Sequence, residues 1–122
     1  MQIFLPVGAE IEVYNVGALI SRRFIPIDTE TFLKNVDSAT WSSEKFAAIE
    51  DFMNSYAGTT KTPKLLAKQL GLVIHDFMMS EEKFKALRRL HRAVMDRENL
   101  GSMIESEFNY FDRDQARQIV GL

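Results

Sequence analysis

The chain contains no cysteine, which excludes a disulfide framework, a thiolate nucleophile and a cysteine-based zinc site. Long hydrophobic runs are missing too. Nowhere do 18 apolar residues follow one another, so no membrane-spanning helix is expected. The opening MQIFLPVGAEIEV lacks the basic region and small-residue cleavage site of a secretory signal, and the expected setting is the cytoplasm, away from membranes. Histidine, the commonest proton-transfer residue, occurs twice. Neither copy stands in a metal-binding or catalytic motif such as HExxH. No internal repeat, low-complexity tract or long linker is legible, and 122 residues with 46% hydrophobic and 26% charged content suit one globular domain.

The chain's most apolar stretch is Thr62–Met79, TPKLLAKQLGLVIHDFMM. Thr62 can cap a helix and Pro63 sits at the first helical position, where its missing N–H costs nothing. At about 100° per residue, Leu66, Ala67, Leu70, Val73, Ile74, Phe77 and Met78 fill one wide apolar arc. A second ridge, Leu65, Leu72 and Met79, recurs at spacing seven within the polar side.

Before this stretch, residues 1–27 read as a β element, a hairpin or small three-stranded sheet. Ile3–Val7 is β-prone, Glu10–Tyr14 alternates with period two, and Asn15-Val16-Gly17 makes a turn. Residues 28–122 read as a helical bundle, giving a mainly α (α+β) fold of about five helices. Asp28, Ser42, Ser80 and Asp112 are candidate N-caps, and Ser102-Met103-Ile104-Glu105 has the capping-box pattern. Ile27/Phe32, Trp41/Phe46 and Met79/Phe84 stand at hydrophobic-staple positions. The Glu81 helix is expected to run to about Glu98.

Net charge is only −2, but it is unevenly spread. Residues 1–60 hold 4 basic and 8 acidic groups, residues 61–98 hold 9 and 5, and residues 99–122 hold 2 and 4. Within the basic segment Lys85, Arg88, Arg89 and Arg92 share one arc of a helix, a pattern that suits phosphates or an acidic protein surface. Glu81–Lys85 and Arg92–Asp96 pairs would equally make it a solvated face. Leu66-Ala67-Lys68-Gln69-Leu70-Gly71-Leu72 resembles the first half of a helix-turn-helix. Apolar Val73, Ile74, Met78 and Met79 stand where a recognition helix needs polar side chains, so a helix continuing through Gly71 is expected. His91 projects onto an apolar helix face, and His75 lies beside Lys64 and Lys68.

Gly58-Thr59-Thr60-Lys61-Thr62 fails as a phosphate loop for want of correctly spaced glycines, and Asp112/Asp114 fail as a calcium loop because Ala116 and Gln118 supply no ligand. No catalytic, cofactor-binding or metal-ligating residues are therefore assigned. Nine Phe, six Met and one Trp in 14.0 kDa favour an adaptable contact surface. Phe108-Asn109-Tyr110-Phe111 puts three rings in four residues, more than one helix face can bury. The sequence thus leads to a non-enzymatic protein-interaction or assembly module, an adaptor or homo-oligomer, contacting its partner through Leu65, Leu72, Met79, Phe108, Tyr110 and Phe111. The alternative is a nucleic-acid-binding regulator using Lys85, Arg88, Arg89 and Arg92.

Overall fold

The structure, a computed structural model, describes residues 25–122. The β element expected over residues 1–27 thus lies outside the described residues, apart from Ile25–Ile27, which are irregular. From Thr29 onward the chain is helical: α1 (Thr29–Ser38), α2 (Ser42–Asn54), α3 (Ala67–His75), α4 (Ser80–Leu90), α5 (Leu100–Glu107) and α6 (Arg113–Val120). Single 3₁₀ turns occupy His91–Ala93 and Arg97–Asn99. There are no strands among the described residues beyond one isolated parallel bridge between Leu65 and Val94.

These helices form three consecutive hairpins. Odd helices begin at residues 29, 67 and 100 and even helices at 42, 80 and 113, so each even helix starts thirteen residues after its odd partner. Each hairpin packs on the next: α3 contacts α1 and α5, while α4 contacts α2 and α6. Odd helices therefore make one layer and even helices the other, as in a short stack of helix-pair repeats. This stack corrects the expectation of no internal repeat. Ser42-Ser43-Glu44-Lys45-Phe46 and Ser80-Glu81-Glu82-Lys83-Phe84 occupy equivalent places 38 residues apart. The buried pairs Phe32/Leu70, Val36/Ile74, Ile49/Leu87 and Phe52/Leu90 keep the same offset. The third hairpin shares only spacing and apolar character, which is why the period escapes a reading of identities.

The core is one cluster running through all three hairpins. Phe32 stacks on Phe52 with centroids 4.2 Å apart, Phe46 on Phe77 at 4.6 Å and Phe84 on Phe108 at 5.5 Å. Fully burying such a ring contributes about 1.5–3 kcal/mol; the first stack holds the first hairpin together, the second joins it to the second hairpin, and the third joins the second to the third. Gly71 lets α3 approach α5 closely, since a Cβ there would lie 3.1 Å from Met103 Cγ. Helix α3 continues through Gly71 as expected, so the helix-turn-helix fragment has no turn.

Several local expectations are corrected by long-range contacts. Residues 62–79 do not form one helix, because Leu65 N–H donates to Ala93 O and Leu65 O accepts from Met95 N–H, both at 2.9 Å. That pairing holds Leu65 extended and delays α3 to Ala67, whose N–H is capped by Asp96 Oδ1 at 2.7 Å. The same pairing ends α4 at Leu90 rather than Glu98. Asp28 caps α1 as expected, accepting Thr31 N–H at 2.8 Å. Ser42 and Ser80 are instead the first residues of their helices, after Trp41 and Met79. Asp112 makes no side-chain cap bond to α6, and α5 starts at Leu100, before the Ser102 box. Trp41 and Met79 are exposed rather than held in buried staples.

Candidate functional site

Antiparallel pairing within each hairpin sends the α1–α2, α3–α4 and α5–α6 turns to one edge of the stack. Contacts between the hairpins agree with this placement. Ser80 Oγ at the α3–α4 turn donates to Asp112 Oδ2 at the α5–α6 turn at 2.6 Å. Phe46, in the second turn of α2, stacks on Phe77 of the α3–α4 turn. The opposite edge carries the α2–α3 and α4–α5 connections, joined by the Leu65–Val94 bridge.

Each turn is closed by a cation turned inward onto main-chain carbonyls at the end of the odd helix. Lys45 Nζ donates to Val36 O and Ala39 O at 3.0 and 2.7 Å, and Lys83 Nζ to Ile74 O at 3.3 Å. Arg113 donates to Phe108 O and Glu105 O at 3.1 and 2.9 Å. Val36 O and Ile74 O also accept the N–H groups of Ala39 and Phe77, so each lysine adds a second bond at a helix end that carries the negative end of the helix dipole. The charge of the three cations offsets only part of the acidic charge around them. Segments 37–45, 76–83 and 107–114 together hold eight Asp and Glu against those three basic residues. The opposite edge, residues 55–66 and 91–99, holds four Lys and Arg against two acidic residues.

Outside this ring of cations the turns project large apolar side chains into solvent. Trp41 is 67% exposed, Met78 91%, Met79 64%, Tyr110 77% and Phe111 89%. Their positions repeat: Trp41 and Met79 both directly precede an even helix, and Met78 and Phe111 both stand two residues before one. The Tyr110 and Phe111 rings meet edge to face at 5.7 Å. Short turns cannot fold such side chains back onto a core already filled by Phe46, Phe77, Phe84 and Phe108.

Of the residues singled out from sequence, Met79, Tyr110 and Phe111 come together on this edge. Leu72 is exposed but lies on α3, in a groove of about 440 Å³ against Leu33 and Val36 of α1. Leu65 is fully buried and Phe108 is 2% exposed, so neither is available to a partner and the Leu65/Leu72/Met79 ridge does not exist as one face. Sequence reasoning misses Trp41 and Met78 as contact residues. Staple spacing assigns Trp41 to a buried pair and helical projection assigns Met78 to the α3 arc. The signal that finds both is their place just before an even helix.

The basic residues behave differently from a free phosphate-binding row. Lys85 Nζ sits 4.3 Å over the Phe46 ring, and Arg89 forms a two-pronged pair with Glu50 at 2.7 and 3.0 Å. These two, with Arg88, Ile49, Glu50 and Phe46, line a notch of about 310 Å³ between α2 and α4. Arg92 has left α4 for the 3₁₀ turn. Arg88 and Arg92 are exposed and show no ion pair among the described residues. His75 Nδ1 lies 3.1 Å from Glu107 Oε1 rather than among lysines. No group of three or more His, Cys, Asp or Glu able to hold a metal ion occurs among the described residues, and no helix among them is long and apolar enough to cross a membrane.

A family model described as a domain of unknown function (DUF4476) matches residues 23–120. No match was found among curated proteins or among solved structures.

Proposed function

We propose, for a chain that belongs to the DUF4476 family, a non-enzymatic role as a protein-interaction module, an adaptor or an oligomer subunit, whose contact surface is the edge formed by the three hairpin turns. The observation that carries this reading is the exposure of Trp41 and Met79, and of Met78 and Phe111, at equivalent positions of successive hairpins, with Tyr110 exposed beside Phe111. Scattered exposed apolar residues are ordinary. Five large ones on one edge, aromatic and methionine in type, have the composition favoured at protein contacts. A stack of helix pairs suits such a role, since repeat folds present periodic side chains along one side to an extended partner. The experiment is a Met78→Ser/Phe111→Ser double variant. It should keep the helical circular dichroism of the parent and lose most of the binding to a partner or to a second copy; retention of full binding would sink the proposal.

A second reading, nucleic-acid binding through α4, is supported by the exposure of Arg88 and Arg92. It is weakened by the engagement of Lys85 with Phe46 and of Arg89 with Glu50. Arg88→Glu/Arg92→Glu should abolish any salt-sensitive binding to DNA or RNA if this face serves it.

A further inference from the structure

Resting on the reading of the turn edge as a contact surface, we infer that its occupant is a cationic, amphipathic segment of another protein, with apolar anchors along one side and Lys or Arg along the other. The apolar half of this surface is the row Trp41, Met78, Met79, Tyr110 and Phe111. Flexible Met beside rigid aromatic rings adapts to the apolar stripe of a docked helix, read at successive turns. The electrostatic half is the imbalance of eight carboxylates against three cations in the turn segments, each of those cations being directed onto main-chain carbonyls. Helix dipoles do not reverse this sign, because three helix N-termini and three C-termini meet on the edge and offset one another. An acidic partner or a phosphate backbone would therefore meet repulsion at the turns, whereas a basic segment would meet both apolar surface and complementary charge. On the third hairpin Glu105, Asp114 and Arg117 are linked by ion pairs, and past the turn Leu122 is its exposed large apolar side chain, a smaller apolar surface than the turn edge presents to a second copy.

The probes are three fluorescein-labelled synthetic peptides of about 18 residues, five helical turns: a Leu/Lys helix with one apolar stripe, the same composition scrambled to remove the stripe, and a Leu/Glu helix with the stripe. Fluorescence anisotropy with the full chain in low salt should rank the striped Leu/Lys peptide at least about tenfold tighter than either other. Met78→Ser/Phe111→Ser should weaken it by about tenfold, as should Glu81→Lys/Glu82→Lys, with helical circular dichroism unchanged. If one of these variants misfolds, the other still decides. Equal binding of the scrambled peptide would overturn the inference by showing charge alone at work. Tighter binding of the Leu/Glu peptide, lost in the Met78/Phe111 variant, would overturn the cationic occupant yet keep the turn edge as a contact surface. Indifference of all three peptides to both variants would overturn both readings. Light scattering of the chain alone closes the remaining route: a mass above 14.0 kDa that returns to monomer in the Met78/Phe111 variant would make a second copy the occupant, and the inference would fail.

Discussion

At His91 the side chain is nine-tenths buried, and its Nδ1 meets no hydrogen-bond partner among the described residues. Burial foremost, then the nearby charges of Arg97 and Arg92, holds the imidazole below the ordinary histidine range. The folded state therefore binds fewer protons than the unfolded chain between the depressed pKa and about 6.5. Stability is at its full value above that pH and is lost as pH falls towards the folded pKa, with a slope of at most about 1.4 kcal/mol per pH unit. Urea melts on either side of the ordinary histidine pKa of about 6.5, one pH unit above and one below, should show the loss, and His91→Leu should remove most of it. Because Nδ1 has no partner to orphan, that substitution should cost little on the alkaline side. The apolar surroundings of His91 are legible from helical projection. Its missing partner is not, since that depends on the turn from α4 into the 3₁₀ segment.

Elements reveal how local and distant terms divide the work. Helices α1, α2 and α6 lie within two residues of where spacing and caps put them, because their ends are set by nearby residues such as Asp28 and the left-handed Gly121 at φ 85°. The boundaries of α3 and α4 depend instead on the pairing of Leu65 with Ala93 and Met95, nearly thirty residues away. No periodicity argument reaches that contact, and so spacing alone places Leu65 on a surface ridge when it is core. The two leucines of that expected ridge should behave differently. Leu65→Ala should lower stability by about 2–5 kcal/mol, while Leu72→Lys should change it by no more than about 0.5 kcal/mol. Chemical denaturation of the two variants checks this. Similar losses for both would mean that α3 begins at Thr62 and that the bridge is wrong.

Across the described residues as a whole, charge and aromatic exposure separate along the hairpin axis, with acidic, aromatic turns at one edge and more basic connections, exposing Leu66 and Met95, at the other. Three of the turn residues, Met79, Tyr110 and Phe111, are legible in the sequence as ring and methionine excess. Their convergence is not, because it follows from stacking three hairpins in register. The chain's single tryptophan provides a direct view of this edge. Trp41 is two-thirds exposed, so its indole is already solvated in the folded protein and its emission should shift little on unfolding in urea, although circular dichroism records a cooperative loss of helix. Occupation of the turn edge should do the opposite, moving emission to shorter wavelength and protecting Trp41 from acrylamide while the helix content stays constant. A buried, blue-shifted Trp41 in the free chain would instead mean that the edge is already covered, by a second copy or by another part of the chain. Running the free-chain spectrum at several protein concentrations separates those two, since only cover by a second copy dilutes away.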